Sequence, residues 1–135
     1  MTQASAAAEG LRRWHDCVAR RDFTALAALL ADDVRFHSPF LWRPKDGKAI
    51  VAAYLTAAVH VLQDFAYHRE MTDGASWMLE FSAKVGDFSL KGIDLIRFGA
   101  DGRIVEFEVM VRPFKGLQAL AEAMQRQLAA QGVAA

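Results

Sequence analysis

At Phe65 the spacing of apolar residues changes from three and four to two, and this switch limits the fold more than any other feature. "DFAYHREM" sets Phe65, Tyr67, Arg69 and Met71 on one side. "SWMLEFSAKV" then offers Trp77, Leu79, Phe81, Ala83 and Val85, with Thr72, Asp73 and Gly74 supplying turn chemistry between the two. Connections this short join antiparallel neighbours, so residues 65–112 read as a meander of strands.

Upstream, Leu11, Trp14 and Val18 lie at helical spacing and predict a helix from about Ala6 to Arg20. Asp22 is placed to cap a short helix carrying Phe23, Leu26, Leu29 and Leu30, which "ADD" ends. "VRFHSPF" alternates Val34, Phe36 and Ser38 against Arg35 and His37, a short strand stopped by Pro39. A third helix, about Gly47 to Gln63, has Asp46 as a possible cap and an apolar face that includes Ile50, Tyr54, Ala57 and Val61. Past Pro113, Leu117, Leu120, Met124 and Leu128 restore helical spacing. Helices, a strand, a helix, a run of strands and a last helix make an α+β order, not alternating βαβ. The 135 residues suit one domain, with 1–8 expected as a flexible leader and 132–135 as a flexible tail.

The hairpin "LKGIDLIRFGADGRIVEFEVMVRP" carries the chemistry. With "GADG" as its turn, Phe98 is expected to face Arg103, Ile96 to face Val105 and Asp94 to face Phe107. One side then holds Asp94, Ile96, Phe98, Val105, Phe107, Val109 and Val111, with Asp94 as its one acid. Arg97 and Glu106 on the other side lie diagonally, as a pair. A carboxylate on an apolar face is costly to keep ionised, so burial raises its pKa and favours the neutral acid. A neutral acid can donate a hydrogen bond to a ligand carbonyl or a developing oxyanion, or act as a general acid. The alternative is that a nearby tyrosine, histidine or backbone group satisfies Asp94 and its work is structural.

Composition removes other classes. Sixteen basic and sixteen acidic residues cancel without forming runs, so there is no electrostatic footprint for nucleic acid or an anionic membrane. No apolar stretch approaches the roughly 20 residues of a membrane span. Lone Cys17 reads as a small core residue, and the start lacks the pattern of a signal peptide, so a cytoplasmic protein is expected. His15, His37, His60 and His68 are scattered and make no metal site. Phosphate-binding loops and a G-x-S-x-G elbow are absent, and no cofactor is expected.

"ADDVRFHSPF", "DGKAIVAAYL" and "GIDLIRFGADGRIVEFEVM", in this order and spacing, resemble the NTF2-like superfamily, in its SnoaL-like and ketosteroid-isomerase-like branch, from about Leu11 to Phe114. The resemblance implies a cone-shaped barrel in which a strongly curved, mainly antiparallel sheet wraps around the N-terminal helices, a cystatin-like arrangement with a C-terminal helix, an apolar cavity and a homodimer. On the isomerase pattern Asp94 falls where that family keeps a neutral aspartic acid in its oxyanion hole, so a raised pKa here is an analogy with it. Ser38 stands where the isomerase has its general-base aspartate, and Trp14 where it has a tyrosine. Serine without a base is a poor proton acceptor, so familiar ketosteroid isomerisation is not expected.

The candidate catalytic set is therefore Asp94, His37 and Ser38, with His37 serving either as a base near the cavity mouth or as a surface histidine. Trp14, Tyr54, Phe40, Trp42, Phe107, Val109 and Val111 are the candidate ligand-binding residues. Trp14 offers an indole N–H and Tyr54 a hydroxyl that needs a partner if buried. Phe40 and Trp42 belong to a Pro-flanked loop that the resemblance puts at the cavity rim. An apolar or weakly polar small molecule is the expected partner. An isomerase, cyclase or dehydratase, a lipophilic-ligand-binding module and a dimeric interaction protein all remain open on this reading.

Overall fold

In the computed structural model, described here for residues 2–133, four helices lie against one curved sheet of six strands. The elements are α1 (Gln3–Arg20), α2 (Phe23–Leu29), β1 (Leu30–His37), β2 (Lys45–Asp46), α3 (Lys48–Val61), β3 (Gln63–Thr72), β4 (Ser76–Val85), β5 (Phe88–Phe98), β6 (Ile104–Arg112) and α4 (Phe114–Ala130). The strands lie in the order β2-β1-β6-β5-β4-β3. The four strands of the meander pair antiparallel in sequence order, and β1 joins β6 in parallel. The α+β arrangement with a C-terminal helix is as the element order and the resemblance imply.

The caps explain several boundaries. Thr2 accepts a hydrogen bond from the Ser5 backbone N–H at 3.0 Å, which starts α1 at Gln3. Ala6 and Ala7 are fully buried, because Gly10 brings this end of α1 against Phe98 and the β5–β6 turn. Residues 3–8 form the first turns of α1, where a flexible leader was expected, and Met1 lies outside the described residues. Asp22 caps α2 as anticipated, accepting from Ala25 N–H at 3.0 Å. Asp46 does not cap α3. It sits in β2, and its carboxylate takes two hydrogen bonds from Arg35, leaving Gly47 at the helix start without a side-chain cap. "ADD" does more than end α2, since β1 already begins at Leu30. At the other end, the Gly132 and Val133 amides bond to the last turn of α4, in place of the expected loose tail; residues 134–135 lie outside the described set.

Two irregularities in the sheet change which side chains point inward. Between Tyr67 and Glu70, β3 has one more residue than the facing stretch of β4, since Tyr67 pairs with Phe81 and Glu70 with Leu79. Phe65 and Tyr67 therefore face the core, whereas Arg69 turns outward to bind Glu80 and Met71 is exposed beside Met78. Strict alternation had put all four on one side. In the β5–β6 hairpin a second irregularity lies between Arg97 and Phe98, and Phe98 pairs with Ile104 rather than Arg103. The register expected from the turn is shifted throughout: Ile96 faces Phe107, Asp94 faces Val109 and Arg97 faces Glu106 directly. Ile104 is buried, while Val105 leaves the inner face for the surface beside Gly99. Asp94, Ile96, Phe98 and Phe107 keep the inward direction given by their alternation.

Candidate functional site

The inner face of the sheet, with α1, α3 and α4 over it, encloses a cavity of about 420 Å³. Phe36, Phe65, Phe81 and Phe107 give it an apolar wall, and Asp94 is part of its lining. Asp94 is 7% exposed. Its Oδ2 accepts a 2.6 Å hydrogen bond from the Tyr67 hydroxyl, and the Tyr67 oxygen in turn accepts from Trp14 Nε1–H at 2.9 Å. Three elements thus meet in one chain of donors: α1 supplies Trp14, β3 supplies Tyr67 and β5 supplies Asp94. The phenol reaches over β4, and Gly92, the β5 neighbour of Phe81, leaves the space that the Phe81 ring occupies.

Burial is the dominant electrostatic influence. It lifts the Asp94 carboxyl from 3.8 to about 7, and the hydrogen bond from Tyr67, which favours the ionised form, acts the other way and only partly offsets it. The Tyr67 hydroxyl is pushed well above 10 by burial first and then by the adjacent carboxyl, so it keeps its proton and remains a donor. A carboxyl titrating near neutrality is matched to proton exchange with a substrate, and its neutral form is a hydrogen-bond donor.

Ser38 also lines the cavity and is nearly buried. Its Oγ accepts from the Leu41 backbone N–H at 3.1 Å, which folds the loop after β1. The register of β1 on β6, Phe36 with Phe107 and His37 with Glu108, carries Ser38 to the level of Val109, which is itself paired with Asp94. Ser38, Val109 and Asp94 therefore form one inward row, with the outer two separated by about two strand spacings, or ~10 Å.

The remaining candidates divide. Trp14, Phe40, Tyr54, Phe107 and Val109 all line the cavity. His37 does not; alternation turns it to the outer face, where Nε2 lies 2.8 Å from Glu106 Oε2 in a group that also holds Arg97. Trp42 is 98% exposed and stands away from the cavity lining. Val111 is partly buried but lies one inward position beyond the lining, level with Gly92. His15 bonds to Glu70, and its ring meets Tyr67 edge-on at 5.2 Å without touching Asp94. Sequence reasoning missed Tyr67 as a site residue, although its inward alternation with Phe65 was the available signal. It also missed Arg21 and Asp64, which line the cavity from left-handed backbone conformations with φ of 54° and 52°. Among the described residues no three His, Cys, Asp or Glu side chains group as metal ligands.

The model of the SnoaL-like domain matches residues 11–107, which take in most of the chain and both ends of the Trp14–Tyr67–Asp94 relay. The chain belongs to the SnoaL-like family. This SnoaL-like domain is similar to a steroid delta-isomerase from Pseudomonas aeruginosa, with 52% identity over 93% of each chain and a TM-score of 0.91. It is also similar to a protein conserved in bacteria with a cystatin-like fold from Silicibacter pomeroyi, at 38% identity over 91% of this chain and 87% of that one, with a TM-score of 0.86. An NTF2-like protein from Mesorhizobium loti shares the fold at 22% identity, 84% and 96% coverage and a TM-score of 0.73. No curated protein matches the sequence. No helix among the described residues is long and apolar enough to cross a membrane.

Proposed function

We propose that this SnoaL-like domain binds a largely apolar small molecule bearing a carbonyl or similar oxygen, and that neutral Asp94 donates a hydrogen bond to that oxygen. The observation carrying this reading is the buried Asp94 carboxyl in an apolar wall, with one oxygen held by Tyr67 at 2.6 Å and the other without a protein partner among the described residues. In an enzyme of the isomerase, cyclase or dehydratase kind, that donor stabilises negative charge developing on the oxygen as an enol or alkoxide forms. With a pKa of about 7, Asp94 can also release and recover a proton at neutral pH. Ser38 contributes a hydroxyl to the ligand and no carboxylate, so double-bond migration by two opposed carboxylates is not part of the reading. The similarity to a protein named as a steroid delta-isomerase supports a ring-sized apolar ligand.

A non-catalytic lipophilic-ligand-binding domain is the second reading. It is favoured by Ser38, which stands ~10 Å across the row from Asp94 where a base would be needed. We further infer a cytoplasmic homodimer. Exposed Leu95 and Met110 on the outer face of β5 and β6 support the self-association, and buried Cys17 suits a reducing compartment.

NMR titration of the Asp94 carboxyl, alone and with a panel of steroid ketones and hydrophobic lactones, tests the proposal. The expected result is a midpoint near neutrality in the free protein that moves by more than half a pH unit with at least one ketone. A midpoint near 4 with no ligand response contradicts both pocket readings.

A further inference from the structure

Two residues of the cavity lining stand apart from its apolar wall: Arg21, at the end of α1, and Asp64, where α3 gives way to β3. With Ala19 they are the exposed members of the lining, which places an opening of the cavity between these two junctions. They are also the two non-glycine residues of positive φ among the described residues. For Arg21 the helix supplies the reason, since its N–H bonds back to the Cys17 and Val18 carbonyls and closes α1. Asp64 has no such duty, because α3 is already closed by the bond from Leu62 N–H to the Ala58 carbonyl.

The left-handed turn at Asp64 changes what lines the cavity. Phe65 and Tyr67 face inward, so regular alternation would turn Asp64 outward. The pairing of β3 with β4 slips between Gln63 and Ala66, and the neighbours Asp64 and Phe65 both line the cavity. Among the described residues no hydrogen bond or ion pair engages the Asp64 carboxylate, and Arg21 is turned to other partners: Nη1 donates to the Val59 carbonyl at 3.4 Å, Nη2 lies 3.4 Å from His60 Nδ1, and the guanidinium is 6.0 Å from the Phe23 ring centroid.

Asp64 and Asp94 thus sit at opposite ends of the cavity. On β4, Asp94 is level with Leu79, whereas Asp64 lies between the positions paired with Lys84 and Ser82. At ~3.3 Å per residue this is roughly 10 to 16 Å along the strands. The cross-strand part of the separation is short on this concave face, since Tyr67, on the same strand as Asp64, touches Asp94 directly. Between the two ends, Ser38 holds the Leu41 N–H, and the Tyr54 hydroxyl is sealed in the packing without a partner among the described residues.

We propose that the ligand is an elongated apolar hydroxy-ketone, its carbonyl oxygen at Asp94 and its hydroxyl at the opening, given to Asp64, so that Asp64 selects against ligands that end there in a carbonyl or an anion. A carboxylate only accepts hydrogen bonds, and a carbonyl or an anion in that place would set oxygen against oxygen. The inner contact rests on the reading of Asp94 given above; the outer one does not depend on how Asp94 titrates.

The chain has two tyrosines, so ¹³Cζ-tyrosine labelling of the full-length protein gives a separate signal for Tyr67, beside the inner contact. Androstan-3-one, its 17α- and 17β-hydroxy derivatives, androstane-3,17-dione and the 17β-sulfate are titrated into the wild type, Asp64→Asn and Asp64→Gly, both of which suit a left-handed backbone. The expected result is that Tyr67 shifts with the neutral ketones, and that at least one hydroxy epimer binds the wild type about three- to tenfold more tightly than the dione. In both variants that ratio is expected to fall to about one, with affinity for androstan-3-one unchanged. Equal wild-type affinity for the dione and both epimers, a preference that persists in the variants, or tightest binding of the sulfate overturns the Asp64 contact and leaves the Asp94 reading standing. Silence of Tyr67 with every compound overturns both.

Discussion

The Tyr67 hydroxyl donates to Asp94 Oδ2 at 2.6 Å across an intervening strand, and the two residues set each other's protonation. The phenol holds its proton because it is buried beside a carboxyl. The carboxyl, for its part, would titrate still higher without the phenol.

Replacing Asp94 tests the balance through stability. In the unfolded chain this carboxyl titrates near 3.8, and in the native protein near 7. Between those values the native state holds the proton more tightly, so the stability contributed by Asp94 is complete below 3.8 and is lost as pH rises through about 7. The whole effect is about 4 kcal/mol, taking about 1.4 kcal/mol for each unit of displacement. Asp94→Asn, which keeps shape and polarity, is expected to remove this slope. Urea unfolding of both proteins at pH 5 and pH 8 should show the variant gaining on the wild type at the higher pH; parallel pH profiles would count against a buried, proton-holding Asp94.

Tyr67→Phe removes the one hydrogen bond that favours the ionised carboxyl. The Asp94 midpoint is expected to rise above its wild-type value in a ¹³Cγ titration, and the Trp14 indole N–H, deprived of its acceptor, to cost a further 1 to 3 kcal/mol or about that in unfolding free energy. An unchanged midpoint would mean that the Tyr67 bond does not form in solution.

Ser38→Asp places a carboxylate in the row that already holds Val109 and Asp94, while keeping an oxygen for the Leu41 N–H. For a β,γ-unsaturated steroid ketone the new base can take the proton that neutral Asp94 cannot accept. Double-bond migration, followed by ultraviolet absorbance of the conjugated product, is expected to rise about 10²- to 10⁴-fold over the wild type. Equal rates in the two proteins would show that the bound ketone does not lie between positions 38 and 94.

Much of this architecture is written locally. The period change at Phe65, the cap at Asp22, the helical spacing of Leu120, Met124 and Leu128, and the inward direction of Asp94 depend only on neighbours a few residues away, and each is found in the structure. Alternation is a property of the extended backbone, so Ser38 and His37 could be set on opposite sides of their strand from the sequence, while which of them met the cavity was decided by the structure.

What the local pattern could not carry is the count of residues between strands. One extra residue after Tyr67 and an irregularity between Arg97 and Phe98 moved Arg69, Met71, Ile104 and Val105 to the other face, because a bulge reverses every assignment beyond it. Nor could it find the partner of Asp94. Tyr67 and Asp94 are 27 residues apart and lie on strands that do not pair with each other, so their contact exists only once the sheet has curved and closed over the helices. The acid was legible from its apolar neighbours; the hydrogen bond that poises it, the isolation of the Tyr54 hydroxyl and the exclusion of Trp42 from the cavity were decided by tertiary packing, which alone determines where water is removed.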